Sequence, residues 1–164
     1  MMKKILFFGG QKSGKSLLAE QKTLKISNTK PYYIATYDNS FGDSEMIKRV
    51  HRHKLQRGDE FITIEETKDI SKVIKPNGTY LIDCLSMWIL NNIQDEQNIF
   101  RQIELLNSCD ANIVFVLNEV TSGVIPNDSI SRRYVDLTGV VGQKIATLCD
   151  EVYEVKFGLE KRWR

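Results

Sequence analysis

A glycine-rich segment near the amino terminus constrains the fold of this chain more than any other feature. It follows the apolar run 5–8 and precedes a helix-like pattern that begins at Leu17, and its residues are Gly9, Gly10, Gln11, Lys12, Ser13, Gly14, Lys15 and Ser16. Gly9 and Gly14 leave room for backbone N–H groups to turn inward and cradle phosphates. Lys15 can reach the β- and γ-phosphate oxygens, and the Ser16 hydroxyl can ligate Mg²⁺. A glycine-rich turn without a ligand is the alternative, but pattern and context agree on a phosphate-binding loop and hence on a nucleoside triphosphate.

Length, charge and cysteine content bound the remaining possibilities. The 164 residues are most simply one domain, 1–164, that is large enough to bury a core. A net charge of +2 gives no electrostatic case for a nucleic-acid binder, and the basic ending 161–164 is predicted to be a solvated tail. The three cysteines lack metal-ligand spacing, and no apolar run reaches the length of a signal-peptide core or a membrane span. We therefore expect a cytoplasmic protein with free thiols.

Apolar runs alternate with amphipathic stretches along the whole chain. The predicted strands are 4–8, 32–35, 61–64, 80–82, 113–117 and 152–155. The predicted helices are 15–26, 43–56, 86–93, 97–107 and 129–149, with Asp43 and Ser129 available as caps. This alternation predicts an α/β fold whose mainly parallel sheet is flanked by helices.

Polar residues follow several predicted strands and are expected at one edge of the sheet, where ligands of open parallel sheets bind. Thr36 follows the second strand, Asp83 follows 80–82, and Glu119 closely follows 113–117. Asp83 is placed as an acid that holds Mg²⁺ beside the transferring phosphoryl group, or as a cap of the helix that begins near Cys84. Glu119 is either an acid or base near an acceptor hydroxyl, or a residue that only fixes its loop.

Both histidines, His51 and His53, lie in the predicted helix 43–56. Arg49, His53 and Arg57 share one helical face, whereas His51 lies on another. Cations on both sides of His53 would favour its neutral, nucleophilic imidazole, and the two arginines could bind phosphate oxygens. A solvated basic helix is the simpler interpretation of the same spacing.

Beyond the phosphate loop, an ordered set of segments resembles one enzyme family, and the similarity runs nearly end to end. The chain resembles the bifunctional adenosylcobinamide kinase/adenosylcobinamide-phosphate guanylyltransferases of cobalamin biosynthesis. The phosphate loop alone is common to many NTPases, so the specificity lies in the other segments. These are residues 33–36 with 43–46, Arg49-Val50 with His53 and Arg57, residues 83–88, Asn118-Glu119-Val120 with 123–126, and 132–136 with Gly139.

This resemblance implies two reactions at one nucleotide-dependent site. The terminal phosphoryl group of ATP or GTP goes to the hydroxyl of the aminopropanol arm of adenosylcobinamide. A histidine, matched here by His53, then attacks the α-phosphorus of GTP, forms a covalent guanylyl-enzyme and passes GMP to adenosylcobinamide phosphate. Covalent catalysis divides this exchange into two in-line displacements. The resemblance also implies a RecA-like, P-loop NTPase sheet order, corrinoid and nucleotide substrates, and a homotrimer.

The chain departs from the family pattern at five positions, and two other functions fit the phosphate loop. Lys12 replaces an arginine and loses its bidentate fork, and Val135 also replaces an arginine. The other departures are Gly58 for proline, Thr121 for glycine and Gly142 for asparagine. A P-loop kinase of another small alcohol without guanylyl transfer is one alternative. A GTP-dependent switch, which would form no covalent nucleotide, is the other.

Overall fold

The structure is a computed structural model, and it describes residues 1–38 and 42–164. Within these residues the strands are β1 (Lys4–Gly9), β2 (Tyr32–Ala35), β3 (Ile62–Glu65), β4 (Thr79–Asp83), β5 (Asn112–Asn118), β6 (Glu151–Lys156) and β7 (Leu159–Arg162). The helices are α1 (Lys15–Ile26), α2 (Ser44–Arg57), α3 (Leu85–Asn91), α4 (Glu96–Ser108) and α5 (Ser129–Leu148), with a 3₁₀ turn at Ile70–Lys72. No helix in these ranges is both long enough and apolar enough to cross a bilayer.

The strands form one sheet in the order β3-β2-β4-β5-β1-β6-β7, in which only the β6–β7 pair is antiparallel. Strand β5 therefore separates β1, which leads into the phosphate loop, from β4, which ends at Asp83. The expectation of a mainly parallel, RecA-like α/β sheet is confirmed. Because β1, β4 and β5 are parallel, their carboxyl ends meet at one edge, as the sequence predicts.

Successive side chains of the central strands point to opposite faces of the sheet, and both faces are covered by helices. Ile5 and Phe7 of β1 pack in a core cluster with Ala19 of α1, whereas Leu6 packs in the opposite cluster with residues of α3, α4 and α5. Trp88 of α3 is fully buried in that second cluster. Helices on both faces explain why the strands are continuous apolar runs.

Two details of the predicted elements are wrong. Asp43 caps α2 as expected by accepting from two backbone N–H groups, but the cap of α5 is Asp128, and Ser129 is already the first helical residue. The predicted tail 161–164 begins within β7, whose side chains are all exposed and which pairs with the last part of β6. An exposed edge strand has no apolar face, so its composition resembles that of a solvated tail.

Candidate active site

The phosphate loop has the backbone geometry that its glycines predict. Gly14 has φ 94°, in the left-handed region that glycine populates without strain. A side chain at Gly9 would collide with the carbonyl oxygen of Val155 in the neighbouring strand β6. The turn after β6 also supports the loop, since the N–H of Gly158 donates to the carbonyl oxygen of Ser13 over 2.7 Å. The loop is thus fixed between β1, α1 and the β6–β7 turn.

Lys15, at the start of α1, is held inside the loop. Its side chain is 7% exposed, and its Nζ donates to the carbonyl oxygen of Gly10 over 3.0 Å. Burial lowers the pKa of Lys15, and the nearby carboxylate of Asp83 partly opposes this effect. Among the described residues this is the one hydrogen bond that Lys15 Nζ makes, so it has donors left for phosphate oxygens.

Eight of the predicted site residues line one cavity of about 290 Å³ at the carboxyl edge of the sheet. These are Gln11, Lys15, Ser16, Thr36, Arg49, His53, Arg57 and Asp83. Lys12, Ser13 and Gly14 line an adjoining hollow that shares Lys15, Ser16, Arg49 and His53 with this cavity. The phosphate loop, the end of β4 and one face of α2 therefore meet as the sequence predicts.

Asp83 points its carboxylate toward this cavity and does not cap α3. Tyr33 donates its hydroxyl to Asp83 Oδ2 over 3.0 Å. The residue at the cap position of α3 is Cys84, and its side chain makes no capping hydrogen bond. Thr36 fixes the adjacent backbone, because its hydroxyl donates to the carbonyl oxygen of Cys84 and accepts from the N–H of the same residue. The cap interpretation of Asp83 is wrong.

Helix α2 presents Arg49, His53 and Arg57 to the cavity, whereas His51 is exposed. The Arg57 guanidinium, in a side chain that is 5% exposed, lies 3.4 Å from the centroid of the Tyr33 ring. Arg49 lies against Gln11 of the phosphate loop. With the Gln11 amide oriented so that its oxygen faces Arg49, this oxygen accepts from the guanidinium. Both arginines thus connect α2 to the nucleotide-binding side of the sheet, which a solvated basic helix would not do.

The environment of His53 favours its neutral form. Burial lowers the pKa of His53, Arg57, Arg49 and Lys15 lower it further, and Asp83 opposes them. The cations act in the predicted direction, although burial is the larger cause. Its Nδ1 atom is buried and has no hydrogen-bond partner among residues 1–38 and 42–164. A neutral imidazole has a free ring lone pair at neutral pH, which a nucleophile requires.

The sequence analysis missed Glu20, a buried carboxylate of α1 that is 6% exposed. One carboxylate oxygen of Glu20, one ring nitrogen of His53 and one carboxylate oxygen of Asp83 lie within 4.8 Å of one another. Burial raises the pKa of Glu20 to about 7, the charge of Asp83 adds to this rise, and Arg57 opposes it. A signal existed in the sequence, because Glu20 lies at helical spacing between Leu17 and Leu24, and a charged residue is rarely buried without a role.

Glu119 does not line the cavity that contains His53. Its carboxylate accepts from the backbone N–H of Thr121 over 2.6 Å and from the hydroxyls of Thr121 and Ser122. Burial raises the pKa of Glu119, but the hydrogen bonds from Ser122 and Thr121 lower it by more, so the pKa is lowered overall. It lines a second cavity of about 280 Å³ beside α5, in which Gly142 also lies. The present geometry makes Glu119 a loop residue, and its part in catalysis stays a prediction.

Comparison with known proteins gives matches over nearly the whole chain. The family model described as cobinamide kinase / cobinamide phosphate guanyltransferase matches residues 5–162. The chain is 35% identical over 164 residues to the bifunctional adenosylcobalamin biosynthesis protein CobP of Pseudomonas aeruginosa, covering 94% of this chain and 93% of that protein. It is 30% identical over 178 residues to the bifunctional adenosylcobalamin biosynthesis protein CobU of Escherichia coli K12, covering 94% and 96%.

A solved structure similar to this one is the flagellar accessory protein FlaH from Methanocaldococcus jannaschii. The TM-score is 0.46 at 17% identity, and the similarity covers 98% of this chain and 75% of that one. The family assignment comes from the sequence matches, which include both the phosphate loop and the helix that carries His53. On that basis the chain belongs to the cobinamide kinase / cobinamide phosphate guanyltransferase family.

Proposed function

We propose that this chain phosphorylates the aminopropanol hydroxyl of adenosylcobinamide with ATP or GTP, and then transfers GMP from GTP to the resulting phosphate to give adenosylcobinamide-GDP. The observation that carries this proposal is that His53 lines the same cavity as Lys15 and Ser16 of the phosphate loop. Phosphoryl transfer from a nucleoside triphosphate to a hydroxyl uses the phosphate loop and requires no nucleophilic histidine. A half-buried, neutral histidine beside it supplies the nucleophile for a second reaction on the same class of substrate.

In the kinase reaction, the phosphate loop binds and orients the triphosphate. Backbone N–H groups around Gly14 and the Nζ atom of Lys15 stabilise the charge that develops on the transferred phosphoryl group. The Ser16 hydroxyl and the free carboxylate oxygen of Asp83 are hard oxygen donors in the same cavity and fit Mg²⁺. When bound there, Mg²⁺ would neutralise charge on the β- and γ-phosphates.

In guanylyl transfer, a ring nitrogen of His53 forms a bond to the α-phosphorus of GTP. The bond from that phosphorus to the β-phosphate oxygen breaks, and pyrophosphate leaves with the electron pair. A phosphate oxygen of adenosylcobinamide phosphate then attacks the α-phosphorus, and the P–N bond breaks to return the imidazole. Arg49 and Arg57 flank His53 on α2 and line the same cavity, which supports a role in binding the negatively charged phosphates during both steps.

The two alternatives receive less support from the same observations. A kinase without guanylyl transfer does not require a histidine with a lowered pKa beside the phosphate loop, and His53 is such a residue. A GTP-dependent switch does not require a nucleophile either. Family membership favours the bifunctional enzyme over both.

Two further parts of the proposal are that the chain assembles as a homotrimer and that it is located in the cytoplasm. Exposed apolar side chains in the loop before α5 and at its start support a subunit contact, because Val124, Ile125 and Ile130 are largely exposed. Light scattering coupled to size-exclusion chromatography measures the assembly directly, and a monomeric mass would contradict the trimer. Cell fractionation tests the location.

Covalent labelling with GTP tests the proposed function. Incubation with GTP labelled in its α-phosphate should give a protein-bound label that is acid-labile and base-stable, as expected for a histidine phosphoramidate. His53→Ala should lose this label while phosphorylation of adenosylcobinamide falls much less, and His51→Ala is the matched control that should still be labelled. A label that survives in His53→Ala and vanishes in His51→Ala would assign the nucleophile to the other histidine.

A further inference from the structure

We propose that Glu20 is a positioning residue for His53, and the proposal rests on the nucleophilic role given to that histidine above. The Glu20 carboxylate accepts a hydrogen bond from Nδ1–H of His53 and thereby leaves Nε2 unprotonated toward the nucleotide. The two side chains come from different helices, α1 and α2. This contact would connect the nucleophile to the same helix that begins with the phosphate-binding lysine.

The inference rests on buried side-chain atoms that lack a hydrogen-bond partner. Within residues 1–38 and 42–164, four buried side-chain atoms lack a hydrogen-bond partner, and two of them are Glu20 Oε1 and His53 Nδ1. One is an acceptor and the other is a donor in one imidazole tautomer. A carboxylate oxygen of Glu20 and a ring nitrogen of His53 already lie within 4.8 Å of each other. Buried polar groups are nearly always paired, so a small adjustment that joins these two side chains satisfies both.

The neighbouring groups leave Glu20 as the acceptor best suited to His53. Asp83 also lies within 4.8 Å, but it accepts from Tyr33 and is the proposed metal ligand. Arg57 Nη1, another of the unpaired atoms, can only donate and cannot accept from an imidazole. An acceptor carboxylate behind a histidine fixes the ring and its tautomer, as outer carboxylates do for metal-bound and catalytic histidines.

A divalent cation bound by Glu20, His53 and Asp83 is the competing explanation, because three such ligands also suit a transition metal. Asp83 is already assigned to Mg²⁺ together with Ser16, however, so a second cation would have only Glu20 and His53, and the positive charges of Lys15, Arg49 and Arg57 that act on His53 oppose it. A shared hydrogen bond places no additional charge among these cations. The geometry therefore favours positioning over metal binding.

The chemistry of guanylyl transfer explains what this hydrogen bond would do. When Nε2 forms the bond to the α-phosphorus, the imidazole ring becomes cationic and keeps its proton on Nδ1. A carboxylate at Nδ1–H stabilises that cation in the transition state and in the guanylyl-enzyme. No proton has to leave during attack, and the leaving pyrophosphate takes the electron pair of the broken P–O bond. The kinase reaction forms no such cation and should depend less on Glu20.

Single-turnover labelling with α-labelled GTP at pH 8 separates these functions. We expect Glu20→Gln to slow guanylylation by roughly 10–100-fold, the range seen when an outer partner of a functional histidine is removed. Its kinase rate should fall much less, Glu20→Asp should recover part of the labelling rate, and Glu104→Gln, a change at an exposed position of α4, is the matched control. If the wild-type protein is not labelled at His53, the proposed function fails. If it is labelled and Glu20→Gln is labelled equally fast, only the role of Glu20 fails.

Nitrogen-15 NMR of histidine provides a readout that a merely structural role would not change. The chain has two histidines, so a His51→Gln background leaves the His53 ring alone in the spectrum. We expect the Nδ1–H tautomer with Glu20 present and a shift toward Nε2–H in Glu20→Ala. An unchanged tautomer overturns the proposal. Calorimetric titration with Zn²⁺ tests the competing explanation, and tight binding that is lost in Glu20→Gln would also overturn it.

Discussion

Replacing Glu20 with glutamine should make the ligand-free protein more stable at alkaline pH, although the same change slows guanylylation. Glutamine keeps the size of the side chain and removes the charge. Burial raises the pKa of Glu20 from 4.5 to about 7 in the folded state. A difference of that size corresponds to an upper limit of about 3 kcal/mol in the free energy of unfolding.

The sign follows from proton binding. Between pH 4.5 and 7 the folded state holds more protons at Glu20 than the unfolded state does, so stability falls as the pH rises through this window. The cost of ionised Glu20 is mostly absent at pH 5 and fully present at pH 8. Glu20→Gln removes it, and the melting temperature at pH 8 should rise by roughly 6–12 °C at most, given about 2–4 °C per kcal/mol for a chain of this length.

Urea or thermal unfolding of both proteins at pH 5 and pH 8 measures the effect, with Glu104→Gln as the control at an exposed carboxylate. The stability difference between Glu20→Gln and the wild type should grow with pH, whereas the control should show no such growth. Equal differences at the two pH values, or a Glu20→Gln protein that is less stable at pH 8, would refute the argument. A variant that is more stable and slower at guanylylation could not owe its lost activity to misfolding.

Four further substitutions test the rest of the site. Lys15→Ala should abolish kinase turnover, because it removes the charge that follows the transferred phosphoryl group, and an unchanged rate in a folded variant would contradict the role of the loop. Ser16→Ala and Asp83→Ala should raise the Mg²⁺ concentration needed for half-maximal activity, and wild-type metal dependence in both would show that the ligands are wrong. Glu119→Gln should slow the chemical step by roughly 10²–10⁴-fold if it acts as an acid or base, whereas a wild-type single-turnover rate with lower thermal stability would make it a loop anchor.

The sequence was sufficient to predict the fold and most of the cavity because both depend on local patterns. Apolar runs followed by polar residues place Asp83 and Thr36 at the carboxyl edge of the sheet, and helical spacing places His53 with Arg49 and Arg57. The edge strand β7 was not predictable in the same way. Its side chains are exposed and it has no buried face, so no alternation in the sequence distinguishes it from a solvated tail.

The position of Glu119 shows where strand-end reasoning reaches its limit. The residue follows β5, beside β1, and its N–H donates to the carbonyl oxygen of Gly9. The backbone is therefore where the topology puts it, next to the phosphate loop. The direction of the side chain depends on Thr121 and Ser122, whose hydroxyls and backbone satisfy the carboxylate. Topology predicts the edge on which a residue lies, but local hydrogen bonds decide which cavity it lines.

The unpaired atoms of the cavity indicate what the bound nucleotide must supply. Lys15 and Arg57 are both nearly buried, and Arg57 Nη1 has no hydrogen-bond partner among the described residues. Burying cations without acceptors lowers stability, and phosphate oxygens provide the missing acceptors. Glu20 and His53 differ from this pair, because each offers the other a partner. In the ligand-free protein these two atoms are unpaired among the described residues, so the ionised Glu20 carboxylate lowers stability there, and the proposed hydrogen bond to His53 forms as the nucleotide binds. The cavity thus combines two devices: cations that a polyphosphate completes, and a carboxylate–imidazole pair that the protein completes when the nucleotide is bound.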